Sequence, residues 1–273
     1  MSAGIRYLEP TFQVDVQRDV LYGTASTPDG SNGVAELRLD LYTPRDDTES
    51  NRPVFIYSHG GSFVGGDKDE GIEWATRLAE LGYVAASINY RLGPLAVSAP
   101  LDQPEQAQID RARNDLQAAV RWFKANATVL GIDPDRISLG GYSAGAMMSA
   151  GATVRWNDPV TGSNPEFSSA VCGAMSIAGT LNPAYVDPGD AGVIFHHGTL
   201  DDTVPFAYAV AARDAMVNAG LPVEWHEYPG EDHGFSSDSL ATIVATSVEW
   251  LYEHVATAPY PCSPAVAGGV PAP

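Results

Sequence analysis

Apolar and polar residues follow two different rhythms along the chain. Near the start they alternate: Phe12, Val14 and Val16 share one face, and Ala35, Leu37, Leu39 and Leu41 share another after a turn at Pro28-Asp29-Gly30. That period of two predicts an antiparallel pair of strands with one wet face. From Pro53 the rhythm changes. Val54-Phe55-Ile56-Tyr57 is a continuous apolar run, the pattern of a strand buried on both faces of a parallel sheet. A helical stretch is predicted over 70–81, stopped by Gly82. A strand at 83–89, a helix near 106–130 and a strand at 136–140 follow. A helix then starts after Ser143, and a strand covers 170–178. Two strand–helix pairs close the series, 192–196 with 206–219 and 223–228 with 238–255.

Strands alternating with helices of this length require right-handed crossovers and a mostly parallel sheet. The expected architecture is a single α/β domain over residues 1–255, with about eight strands and six helices. No internal repeat recurs. Residues 256–273 are rich in Pro, Ala and Gly without periodicity, and read as a tail that is mobile or draped on the surface.

Composition narrows the class. Of 273 residues, 44% are hydrophobic and 18% charged, as in a soluble globular enzyme and too apolar for disorder. The net charge of −19 has no basic cluster to offset it, which disfavours nucleic-acid partners. No apolar run approaches the roughly 20 residues of a membrane span, so no membrane partner is expected. Met1–Pro10 has no apolar leader core, although a leader removed before Met1 would leave the same sequence. The acidic composition suits an extracellular or saline setting. The two cysteines, Cys172 and Cys262, form no Cys-x-x-Cys pair, which excludes a zinc knuckle, and they read as one buried thiol and one tail thiol rather than a disulfide.

Chemistry concentrates at predicted strand ends. Gly141-Tyr142-Ser143-Ala144-Gly145 follows the strand residues Ile137-Ser138-Leu139 and opens a helix. Glycines two before and two after the serine permit a sharp strand-to-helix turn that lifts the hydroxyl clear of the sheet. The helix N-terminus favours the negative charge that develops in acyl transfer. His59-Gly60-Gly61-Ser62-Phe63 follows the strand at 54–57, where preset oxyanion donors are needed. The donors expected there are the N–H groups of Gly61, Ser62 and Ala144, while His59 reads as a structural group that shapes the loop. Among six histidines, His233 alone sits on a loop between the last strand and the last helix, as a proton shuttle requires. The acid belongs on the loop after the preceding strand, Gly198-Thr199-Leu200-Asp201-Asp202. Asp201 and Asp202 are adjacent, and spacing alone does not separate them.

His59-Gly60-Gly61, Gly141-x-Ser143-x-Gly145, Asp201-x-x-Val204-Pro205 and His233-Gly234-Phe235 together resemble the serine carboxylesterases of the α/β-hydrolase superfamily. The nearest branch is similar to the carboxylesterase/lipase group with hormone-sensitive-lipase-like and feruloyl-esterase-like members. The order Ser, Asp, His matches that superfamily, and the resemblance runs over about 22–255. It implies Asp201 rather than Asp202 as the acid, and a structural role for Asn89-Tyr90-Arg91. There are two departures: Ser62 stands where a third glycine is commonest, and no helical cap is visible. Only residues 156–169 and 180–190 are available to roof the site.

Together these residues point to a serine esterase with Ser143 as nucleophile, His233 as base and Asp201 as its orienting acid. No metal or organic cofactor is implied, and the partner is a small-molecule ester. Phe63, Trp74 and Tyr142 are expected to line the substrate pocket, with Trp74 equally readable as core. The rival readings are a prolyl-oligopeptidase-like peptidase and a catalytically idle hydrolase fold kept as a binding module.

Overall fold

The computed structural model describes residues 5–27, 33–93 and 106–259. Strands β1 (Val14–Ser26) and β2 (Val34–Pro44) pair antiparallel, as their alternation predicts. The predicted turn at Pro28-Asp29-Gly30 lies outside the described residues. Register shifts between Gln17 and Val20 and between Leu21 and Gly23 break the alternation of β1. Each bulge swaps the faces of the strand, so Leu21 is exposed while Tyr22 is buried; Val16, which precedes both bulges, is exposed on the edge strand.

The remaining strands are β3 (Arg52–Ser58), β4 (Val84–Ile88), β5 (Ile132–Tyr142), β6 (Gly173–Ile177), β7 (Gly192–Gly198) and β8 (Val223–Tyr228). They complete an eight-stranded sheet in the order β1-β2-β4-β3-β5-β6-β7-β8. From β4 onward every neighbouring pair is parallel. Helices α1 (Ile72–Glu80), α2 (Gln106–Ala125), α3 (Ala127–Leu130), α4 (Ala144–Val154), α5 (Phe206–Asn218) and α6 (Ser237–Leu251) cover the two faces. The helix expected over 106–130 is divided at Asn126, and its second part ends at Gly131 in the left-handed region, φ 58°.

The apolar run in β3 does what its composition demands. Val54 and Ile56 join one core with Leu116, Phe123 and Met148, while Phe55 and Tyr57 join a second core with Leu78, Ile243 and Trp250. Both faces of the strand are thus removed from water. The parallel register brings Ser58, Tyr142, Ile177, Gly198 and Tyr228 to one edge of the sheet, the carboxyl edge where ligands bind in this class of architecture.

The expectation of a free thiol at Cys172 is corrected, because Cys172 is disulfide-bonded. A long sequence separation is no obstacle when the fold returns the chain to the same place. Arg136, just before the buried run of β5, donates to the carbonyls of Ala256 and Ala258, and Cys172 N–H donates to Ile137 O nearby. The other cysteine, Cys262, and most of the expected tail lie outside the described residues.

One buried group carries a pH dependence. His196 on β7 is fully buried between the Tyr228 hydroxyl (2.9 Å) and the Ser247 hydroxyl (3.0 Å), with its ring stacked on His226. Burial, and secondarily the neighbouring His226, pushes its pKa down to about 3. The unfolded chain therefore takes up a proton near pH 6.5 that the native state refuses until about pH 3. Stability is expected to fall across that window as pH drops. Urea unfolding at pH 7, 5 and 4 measures the slope, and His196→Gln should flatten it.

Candidate active site

Ser143 stands between the end of β5 and the start of α4 with φ 54° and ψ −119°. A non-glycine residue held there is strained, and the surroundings must over-determine it. They do so by close packing. A Cβ on Gly141 would meet Ser58 O at 2.5 Å, and one on Gly145 would meet it at 2.0 Å. Only glycine fits at either position. The turn is further held by Ser143 N–H donating to Ile177 O and Met147 N–H donating to Ser143 O, both at 2.9 Å.

The loop after β3 lies against this turn. A Cβ on Gly60 would sit 3.5 Å from Ser143 Cβ. Gly61, Ser62 and Phe63 all have positive φ, at 97°, 52° and 63°. At Gly61 a Cβ would lie 2.2 Å from Gly65 O, so glycine is obligatory. At Ser62, where the sequence departs from a third glycine, the left-handed backbone is kept by an L-residue. Among the described residues, the N–H groups of Gly61, Ser62 and Ala144 make no hydrogen bond.

His59 is buried and its ring stacks on Tyr90, 4.3 Å between centroids. Its Nδ1 donates to Gly60 O at 2.8 Å, and burial pushes its pKa down. Tyr90 Oη donates to the carbonyls of His59 and Gly60. Asn89 accepts from Lys68 N–H and donates to Asp67, and Arg91 grips buried Asp115 with two nitrogens. Asn89-Tyr90-Arg91 thus works as a brace for the loop.

His233 lies on the turn between β8 and α6. Its Nδ1 is 2.8 Å from Asp201 Oδ2, and its Nε2 is 2.9 Å from Ser143 Oγ. Three side chains spread over 90 positions of sequence form one hydrogen-bonded chain. The loop carrying His233 is fastened to the loop carrying Asp201: Leu200 N–H donates to Glu231 O, and Gly230 N–H donates to Thr199 Oγ1. Tyr142 Oη donates to His233 O from below.

Asp201 is buried, and its Oδ1 accepts from the N–H groups of Thr203 (3.0 Å) and Val204 (2.9 Å). Burial raises its pKa, but hydrogen bonds from His197, His233 and the Val204 N–H outweigh this and hold it well below the usual carboxylate range. Asp202 is exposed and makes none of these contacts.

One participant was not legible in the sequence. His197 Nε2 lies 3.2 Å from Asp201 Oδ2 and 2.9 Å from Val204 O, so a second imidazole touches the same carboxylate oxygen as His233. Its place at the end of β7, four residues before Asp201, was the available signal.

Of the aromatic trio expected around the site, Tyr142 touches His233, while Phe63 and Trp74 enter the cores. Phe63 is buried in the core beside Tyr90, Trp74 packs on Phe55 in the opposite core, and Tyr142 lies under the His233 ring. None of them lines the cavity of about 490 Å3 that opens between α2, α4 and α5. Of the two candidate roof segments, 156–169 is tied to α2 and β1 through Arg121 and Thr24, whereas Thr180–Pro183 walls the cavity.

The sequence model of the BD-FAE family matches residues 39–182, more than half of the chain. The chain belongs to the BD-FAE family. A second model, the prolyl oligopeptidase family, matches residues 181–257. Among curated proteins, the chain is 29% identical to esterase LipQ of Mycobacterium tuberculosis, over 81% of this chain and 58% of LipQ. It therefore spans less than two thirds of that relative. Among solved structures, this BD-FAE chain is similar to the butyrate-bound esterase Est2 of Thermogutta terrifontis, with a TM-score of 0.70 at 23% identity, covering 84% of this chain and 92% of that one. A truncated carbohydrate esterase from gut microbiota gives 0.66 at 18% identity, covering 90% and 99%. The fold is that of the α/β-hydrolase esterases.

Proposed function

We propose that this protein is a serine carboxylesterase that works through an acyl-enzyme. The observation that carries the reading is the hydrogen-bonded chain Asp201–His233–Ser143 at the carboxyl edge of the sheet. His233 Nε2 takes the Ser143 proton as Oγ attacks the ester carbonyl, and the oxyanion is met by the N–H groups of Gly61, Ser62 and Ala144. The imidazolium then protonates the leaving alkoxide. Water, deprotonated by the same imidazole, releases the acid and restores Ser143. Asp201 orients the ring and stabilises its charged form. The net charge of −19 weakens capture of anionic esters, and added salt relieves that penalty.

The prolyl oligopeptidase match covers the segment with Asp201 and His233, so peptides are the substrates to test against. The protein is expected to hydrolyse p-nitrophenyl acetate and to leave a succinyl-Ala-Pro anilide intact. Paraoxon should leave its phosphoryl group on Ser143, as peptide mass spectrometry reads. Peptide cleavage without ester turnover, or a phosphoryl adduct on another residue, would overturn the reading.

A further inference from the structure

His197 touches the proposed chemistry and has no task in it. It stands at the carboxyl end of β7, fully buried, with the Phe206 ring of α5 centred 6.0 Å from its own. Its neighbour His196 turns to the other face of the sheet, towards Ser247 of α6, as alternation along a strand requires. Gly198, next along, leaves room for the loop that carries His233: a Cβ there would meet Asp232 O at 2.2 Å. The end of β7 thus reaches both Asp201 and the loop of His233.

The hydrogen on His197 Nε2 is fixed by its surroundings. Val204 O at 2.9 Å and Asp201 Oδ2 at 3.2 Å can only accept, so Nε2 donates to both in a three-centre bond. Nδ1 is buried with no partner among the described residues, so the hydrogen bonding of the ring passes through Nε2 alone. Asp201 therefore receives four donors. Its Oδ1 takes the N–H groups of Thr203 and Val204, and its Oδ2 takes His233 Nδ1 and His197 Nε2. The backbone pair already holds the carboxylate in place. What His197 adds is competition for the oxygen on which the His233 ring depends.

That competition has a chemical consequence. A buried carboxylate serving His233 alone would hold the imidazolium tightly and slow the return of its proton to the leaving group. A second donor on the same oxygen spreads the negative charge and loosens that hold. The other titratable groups around the pair are engaged elsewhere. Tyr142 of β5 spends its hydroxyl on His233 O, Asp232 accepts from Gly234 N–H, Glu231 accepts from Ser236 and Ser239, and Asp202 is exposed. Resting on the esterase reading above, we propose that His197 is a positioning residue that acts through Asp201: by sharing Oδ2 with His233 it weakens the carboxylate's grip on the imidazolium and keeps the base able to give its proton back.

The test is the pH profile of kcat/KM for p-nitrophenyl acetate, measured on the whole chain and on two variants. The rising acid limb reports the base of the free enzyme. His197→Leu removes the donor with little change in volume, and should move that limb up by about half to one pH unit. His197→Gln places an amide N–H close to where Nε2 stood, and should return the limb to its position in the unaltered chain. A merely structural role would lower the plateau and the unfolding temperature of the leucine variant and leave its limb in place. Thermal unfolding checks that each variant is folded. Nitrogen NMR of the unaltered chain, which needs no variant, should find the His197 hydrogen on Nε2. A leucine limb that stays or moves down, a glutamine limb displaced as far as the leucine one, or a hydrogen on His197 Nδ1 would overturn the role of His197 and leave the esterase reading intact. Failure of the unaltered chain to hydrolyse the ester at any pH would remove both.

Discussion

Replacing Ser143 with alanine is expected to lower kcat for p-nitrophenyl acetate by on the order of 10^6-fold, to a residue set by binding and the oxyanion donors alone. The substitution deletes one oxygen, which lies 2.9 Å from His233 Nε2. It leaves the backbone turn as it is, since alanine and serine bear the same cost at φ 54°. The Ser143 N–H to Ile177 O and Met147 N–H to Ser143 O bonds are main-chain bonds and persist. Thermal unfolding should therefore be nearly unchanged while activity vanishes. Ester turnover surviving in the purified variant would end the serine mechanism.

Asp201→Asn is the second large effect, with an expected loss of about 10^4-fold in kcat. The change is almost isosteric, yet it reverses the sense of one hydrogen bond. Asparagine keeps an oxygen for the N–H groups of Thr203 and Val204. Its amide nitrogen then meets His233 Nδ1 and His197 Nε2, where the carboxylate accepted. The His233 ring is driven to the tautomer with hydrogen on Nε2, which cannot take a proton from Ser143. The variant also has a stability signature. Because the native Asp201 is held below the usual carboxylate range, its contribution is present above the unfolded value of about 4 and is lost as pH falls below it. Urea titrations from pH 6 to 3 should show a shallower acid slope for Asp201→Asn than for the unaltered chain. An equal slope together with full activity would exclude the carboxylate as the group that orients the ring.

Legibility in the sequence depended on how local each cause is. The strand at Val54–Tyr57 was readable because burial on both faces demands consecutive apolar residues. The turn at Ser143 was readable because Gly-x-Ser-x-Gly between a strand and a helix is itself a local turn signal, although the contact that requires glycine at 141 and 145 is with Ser58 O on β3. By contrast, the exposure of Val16 was not readable from its alternation, because it depends on β1 standing at the edge of the sheet. Phe63 and Trp74 are near the chemistry in sequence but belong to opposite cores, since position on a helix or loop does not tell which layer a side chain enters. The disulfide at Cys172 escaped for a related reason: the return of residues 256–258 to Arg136 is a contact across 120 positions.

Periodicity, glycine placement and motif order settled the layered α/β architecture and the edge of the sheet at which the chemistry gathers, because these follow from steric rules acting over a few residues. That His233 and His197 meet on one Asp201 oxygen, that Phe63 and Trp74 enter opposite cores, and that a cavity opens between α2, α4 and α5 came only from the assembled molecule. These are distances between segments far apart in the chain, and they are set by how helices and strands pack against each other. Local sequence rules carry no term for that packing.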